Sequence, residues 1–215
     1  MNEIETMLTG KMSMKDFVAL LENNGRIRQE IRELVPEDAK HNPSHPFWKI
    51  VAYPFLQPYD FDLLTGLMHI CFPHGYNNTI EQNLNVFSTI RTAYRYYKPD
   101  LTYTSMYEQQ FDLYLTVIHD CFDGPEVKDF VEQIIQEALM IKGKGKQVAF
   151  AKEKIKELFH EENTKQRPYW VQGPEWPCGQ RSPMKFIERK RHGEAVAFTF
   201  LDIDTGEMRT VTQYY

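Results

Sequence analysis

His69, Cys71 and His74 lie close together in HICFPH, and His119 and Cys121 make a second pair, so metal binding is the first chemistry to test. Structural zinc sites are usually built from paired CxxC or HxxxH spacings set on turns. Neither spacing occurs here, and Cys71 and Cys121 fall near the ends of apolar helical stripes, where a buried thiol is the ordinary occupant. The third cysteine, Cys178 in WPCG, is the candidate nucleophile nearest a turn, but no basic residue or helix start adjoins it to favour the thiolate. Three widely spaced thiols without a pairing pattern fit a reducing compartment. Gly143-Lys144-Gly145-Lys146 has the residue types of a phosphate loop without its GxxxxGK[ST] spacing or its preceding strand. Asp202, Asp204 and Gly206 begin like a calcium loop, yet the glycine comes one position early and Gln213 stands where the closing glutamate belongs. No catalytic set, metal or cofactor is expected.

Nucleic-acid binding can be drawn from Arg189-Lys190-Arg191-His192 and from the tyrosines at 94, 96, 97, 103 and 107. A net charge of −5 argues against it, because phosphate backbones demand a positive field. The charge is unevenly placed. Residues 101–141 hold eight acids and one base, Lys128, while residues 142–167 hold eight bases and four acids. An acidic face of that kind suits a basic protein partner. The opening MNEIETMLTG lacks the basic start of a secretion signal, and no run of 18 apolar residues follows. A cytoplasmic protein without direct nucleic-acid or membrane contacts is expected.

The elements that must position these residues are mostly helices. Ser13 and Asp16 form a shortened capping box ahead of Phe17, Leu20 and Leu21, and a second amphipathic stretch runs over 27–34 to Val35-Pro36. Four prolines between His41 and Tyr59 predict a loop with one helical turn at 47–51. Periodicity then predicts a helix from Asp60 to Cys71, one over 79–97 and one over 105–121 with Phe111, Leu115 and Ile118 inward. Pro125 is expected to open the next, whose stripe is Val127, Phe130, Val131, Ile134, Ile135 and Leu139. A last helix carries Val148, Ala151, Ile155 and Leu158. From Pro168 the pattern changes. Strands over 184–191, 195–202 and 208–215, parted by His192-Gly193 and by Asp204-Thr205-Gly206, predict a three-stranded antiparallel meander. The expected fold is α+β: a helical body over residues 1–167 with the sheet of 168–215 packed on it, since a bare three-stranded sheet is marginal in water.

The phrases PYWVQGPEWP (168–177), SPMKFI (182–187), DTGE (204–207) and TQYY (212–215), with DLYL (112–115) and DCFDGP (120–125), resemble the immunity proteins of contact-dependent inhibition and related polymorphic toxin systems. The resemblance implies a bacterial immunity protein, a non-enzymatic binder that neutralises one cognate toxin domain, a basic nuclease, in a one-to-one complex. It carries no residue roles with it. Helix phasing supplies the candidates instead: Glu108, Asp112 and Asp120 on the flank of one helix, and Asp129, Glu132 and Glu137 off the stripe of the next. A helical scaffold or adaptor is the alternative, and a metal-dependent hydrolase the next. Protein purified without added metal is expected to contain far less than stoichiometric zinc by elemental analysis; a full equivalent lost on Cys71→Ala or His74→Ala would overturn this.

Overall fold

Turn-forming residues cut the chain into short helices, four of which open on a side-chain cap. The computed structural model describes residues 2–40, 42, 44–50, 67, 70, 71, 76, 78–118, 122, 124–161 and 167–215. Helix α1 spans Glu3–Leu8, α2 Met14–Asn23, α3 Gly25–Arg32 and α4 Pro46–Ile50. Asn2 caps α1 by accepting from the Glu5 amide, and Asn24 caps α3 by accepting from the Arg26 and Ile27 amides. At Ser13 the hydroxyl accepts from the Asp16 amide and donates to Asp16 Oδ2 at 2.6 Å, so the shorter aspartate bonds the capping side chain itself. Arg28 Nη1 in turn donates to the carbonyls of Leu21 and Glu22, which the end of α2 leaves without helical partners.

Helix α5, Ile80–Tyr94, opens on a full capping box between Thr79 and Gln82. Its buried Phe87, Ile90 and Ala93 share one core with Phe17, Leu21, Ile27, Ile31 and Phe47. Tyr94 O–H donates to Glu5 Oε1 at 3.0 Å, and Asn2 Nδ2 donates to the phenol oxygen, fastening the first helix to α5. Burial pushes the Tyr94 phenol up to about 12. The helical turn expected over 47–51 is α4; most of the helix expected over 60–71 lies outside the described residues.

Helix α6 is Met106–Val117, α7 Lys128–Leu139 and α8 Lys144–Leu158. Contacts divide the chain into two compact units, residues 1–109 and 110–215, and the division falls inside α6. The helical stretch read as 1–167 is thus shared between both units, and the 168–215 segment belongs to the same unit as α7 and α8.

The rotation of α6 differs from its expected one. Its buried residues are Tyr107, Gln110, Leu113 and Val117, while Phe111 and Ile118 are half-buried and Leu115 is 57% exposed. The helix carries two apolar lines, and periodicity cannot choose between them. In the first unit the Tyr107 ring packs on Phe87 at 4.9 Å; in the second the buried line is Gln110, Leu113 and Val117. Helix α7 also starts later than expected. Pro125 lies in a turn, and Val127 occupies the cap position without a side-chain bond to offer.

The meander has the expected strands: β1 Lys185–His192, β2 Ala195–Leu201 and β3 Met208–Tyr214, antiparallel in the order β1-β2-β3. Gly193 and Gly206 take the positive φ that the two turns require. Register sets Phe200 between Phe186 and Arg209, and Phe198 between Arg189 and Val211; Ile187 is an extra residue at a bulge. Val196, Phe198 and Phe200 are fully buried on one face. Trp170 stands 4.7 Å from Phe198, and Trp176 stands 5.4 Å from Phe200 and 4.7 Å from Phe159 at the end of α8. The fold is α+β, a set of helices followed by a small antiparallel sheet. Phe198→Ala is expected to destabilise the protein by about 3–5 kcal/mol in denaturant melts, whereas Ile187→Ala at the half-exposed bulge stays within about 0.5 kcal/mol.

Candidate functional site

Of the acidic residues singled out from the sequence, those in the second unit stand on two helices that touch. Gln110 Nε2 on α6 donates to Gln136 Oε1 on α7 at 3.3 Å. Asp112 is exposed on α6. On α7, Asp129 is exposed in the first turn, where the helix dipole favours a carboxylate, and Glu137 is exposed and accepts from Gln133 Nε2 at 2.9 Å. Glu132 is half-buried and engaged within the protein. Glu137 also contributes to holding the Lys154 ammonium of α8 above its ordinary value, although Glu157, 2.6 Å away, is the main cause. Asp120 lies outside the described residues.

Glu108 does not share that surface. It forms an ion pair with Arg91, largely shielded from solvent, so the expected exposed flank is corrected at this residue. It also falls in the first unit, whereas the other described carboxylates belong to the second. Leu115, expected inward, is instead exposed three residues beyond Asp112.

Among the described residues weighed for catalysis or metal binding, Cys71 and Asp202 make bonds within the fold. Cys71 is buried and donates to the Arg28 carbonyl at 3.3 Å; burial pushes its thiol up despite nearby Arg32 and Arg28. His69, His74, His119 and Cys121 lie outside the described residues, and among the described residues no three of His, Cys, Asp and Glu gather closely enough to hold a metal ion. Burial, helped by the Glu126 and Asp202 charges, also pushes the Cys178 thiol up, away from the thiolate a nucleophile needs. The Asp202 carboxylate accepts from the Asp204 amide at 2.9 Å and the Gln180 amide at 3.1 Å, and these bonds lower its pKa. A Cβ on Gly179 would meet Asp202 Cγ at 2.7 Å, so only glycine lets that loop approach. The group that looked like the start of a calcium loop is the anchor of a hairpin turn.

On the basic strand, Arg189 Nη2 donates to the Tyr215 hydroxyl at 3.0 Å, Arg191 stands 4.6 Å from the Tyr215 ring, and Lys190 pairs with Glu188 at 2.6 Å.

Sequence reading missed the pair that joins the start of α7 to the sheet. Arg209 on β3 makes a two-pronged contact with Glu126, at 2.7 and 2.9 Å, and the Cys178 amide donates to the same carboxylate at 2.9 Å. Eighty-three positions separate the partners, so no local spacing could have announced them. Gln213 was equally silent: it is 1% exposed, accepts from the Val171 and Gln172 amides at 2.9 and 3.0 Å, and donates to the Gly173 carbonyl at 2.7 Å. No helix among the described residues is long and apolar enough to cross a membrane. Compared with models of known protein families, with curated proteins and with solved structures, the chain finds no match.

Arg209 holds the Glu126 carboxyl below its usual value, and the Cys178 amide adds to the effect. A depressed carboxylate stabilises the fold above its unfolded pKa, and that contribution is lost as pH falls through the folded value. Both partners are more than a third exposed, which limits the effect to about 1 kcal/mol or less. Glu126→Gln should therefore lower the melting temperature at pH 7 and narrow toward wild type below pH 4.5, as thermal melts across the acid range would reveal.

Proposed function

We propose that this chain is an immunity protein that binds and neutralises one cognate bacterial toxin domain, a basic nuclease, in a one-to-one complex in the cytoplasm. The observation that carries the reading is the mixed character of the α6 and α7 surfaces. Asp112, Asp129 and Glu137 are exposed on them, Leu115 is 57% exposed three positions after Asp112, and Met140 is 88% exposed three positions after Glu137. Apolar side chains supply the desolvated centre of a protein interface, and carboxylates beside them steer a basic partner and reject wrong ones. Such a task requires no catalytic group, only a folded surface of the right sign and shape. The phrases in 168–215 that resemble immunity proteins support the same reading. They include Gln213 and the Trp176 segment, which build the sheet, so the resemblance rests on residues that shape the fold.

Co-expression with the toxin domain encoded beside its gene is expected to yield a co-purifying complex and to protect the host cells. The triple variant Asp112→Lys, Asp129→Lys, Glu137→Lys should slow association by about 10-fold or more at low salt while remaining folded, its melting temperature lowered only by the modest cost of a lysine in the first turn of α7. Raising ionic strength should bring wild type toward the variant, because screening shortens the field to about 8 Å at physiological salt. Failure to bind any neighbouring toxin would remove the immunity reading; tight binding with unchanged kinetics in the triple variant would place the interface elsewhere.

A further inference from the structure

The hairpin of β1 and β2 has a backbone edge whose hydrogen-bonding capacity is not used within the fold. Its two-residue loop, Gly193-Glu194, joins His192 to Ala195, and a loop of that length makes the flanking pair exchange both backbone hydrogen bonds. Alternation along the antiparallel pair gives Lys190 the same arrangement with Ala197, while Arg189 and Arg191 direct their N–H and C=O away from β2. Strand β1 lies at an edge of the sheet, and among the described residues no backbone group bonds Arg189 or Arg191 on that side. All four residues from Arg189 to His192 are exposed.

The charge along this edge is positive and only partly matched. Arg189 stands over the Phe198 ring of β2 at 5.9 Å and donates to the Tyr215 hydroxyl, and Arg191 stands against the Tyr215 ring. Both guanidiniums thus contact uncharged groups on the strands behind β1, and among the described residues neither forms a salt bridge. Lys190, on the opposite face, is the base that Glu188 pairs with. An extended segment laid antiparallel along β1 would bond the outward N–H and C=O groups, as peptides do when they add to a sheet edge. The residues it sets opposite Arg189 and Arg191 would stand beside those side chains on one face, because facing residues of an antiparallel pair share a face. Carboxylates at those two positions match the guanidiniums. A second copy of β1 does not, since registers that use both outward residues set arginine opposite arginine, and like charges directly opposite are destabilising.

We propose that the 189–191 edge of β1 takes up an extended segment of a partner protein as a further antiparallel strand, with acidic residues at alternate positions opposite Arg189 and Arg191. The inference goes beyond the immunity reading, whose partner is basic and is met on α6 and α7, so either can fail without the other.

The probe is the acetylated and amidated peptide TTETETT, titrated into the full chain while the β1 amides are followed by NMR and hydrogen exchange. Saturable binding in about the millimolar range is expected, weakening as salt rises. At saturation the Arg189 and Arg191 amides should exchange about tenfold more slowly or less, while the Lys190 amide, already bonded to β2, changes little. The lysine counterpart TTKTKTT should bind about tenfold more weakly, and TTEETTT, whose acids point to opposite faces, about threefold more weakly. Arg191→Pro removes an N–H that β2 does not use, so the hairpin keeps its own bonds and peptide binding should fall by about tenfold or more. The double variant Arg189→Gln, Arg191→Gln keeps the backbone and removes the charge; it should bind about tenfold more weakly and keeps the test decisive if the proline disturbs the hairpin. Absence of saturable binding, binding that leaves the Arg189 and Arg191 amides unprotected, equal affinity for the lysine peptide, or native affinity in the folded variants would overturn the proposal.

Discussion

Trp176 is the side chain on which the second unit depends. Its ring meets Phe122, Phe159 and Phe200 at centroid distances of 5.6, 4.7 and 5.4 Å, so one residue touches the chain before α7, the end of α8 and the middle of the sheet. The indole N–H donates to the Met184 carbonyl at 2.8 Å, which aligns the entry to β1. A large aromatic ring buried this way contributes both area and directional packing, and its single polar atom must find a partner. The backbone around it is correspondingly constrained: at Gly124, φ is 151° and any Cβ would stand 2.7 Å from the Trp176 amide nitrogen. Sheet and helices in this unit hold together because they share this contact.

Polar groups around that core have comparable positional roles. Gln213 ties the 171–173 backbone to β3, Glu126 joins Arg209 and the Cys178 amide, and Asp202 closes its hairpin while gripping the Gln180 loop. Each is a group that could, in another setting, ligate a metal or move a proton. Here the available lone pairs are occupied by backbone amides or a guanidinium, and burial keeps the neighbouring Cys178 thiol protonated. On α6 and α7, Asp112, Asp129 and Glu137 remain exposed.

The setting of α6 governs which carboxylates those are. Asp112 and Leu115 face solvent while Gln110, Leu113 and Val117 are buried. Had the alternative apolar line faced inward, Leu115 would have been core. A change of helix phase by one residue is about 100°, enough to exchange a buried face for an exposed one.

Local regularities were legible in the sequence for direct physical reasons. Alternation in AVAFTFL and glycine at positive-φ turns specified the meander, and the Ser13 position marked a helix start because orphan amides need nearby acceptors, which Asn24 and Thr79 supply in the structure for α3 and α5. Periodicity located α6 but not its rotation, since both Phe111-Leu115 and Leu113-Val117 are apolar lines and hydrophobicity alone does not rank them. Pro125 suggested a helix start that tertiary packing moved onward to Lys128. The Glu126–Arg209 pair and the burial of Gln213 were invisible, because each depends on segments brought together from distant positions. The sequence by itself determined the elements and their ends, where the forces act over a few residues. Only the tertiary structure decided which face of α6 meets solvent and which polar atoms are left without partners, because those outcomes follow from packing between elements.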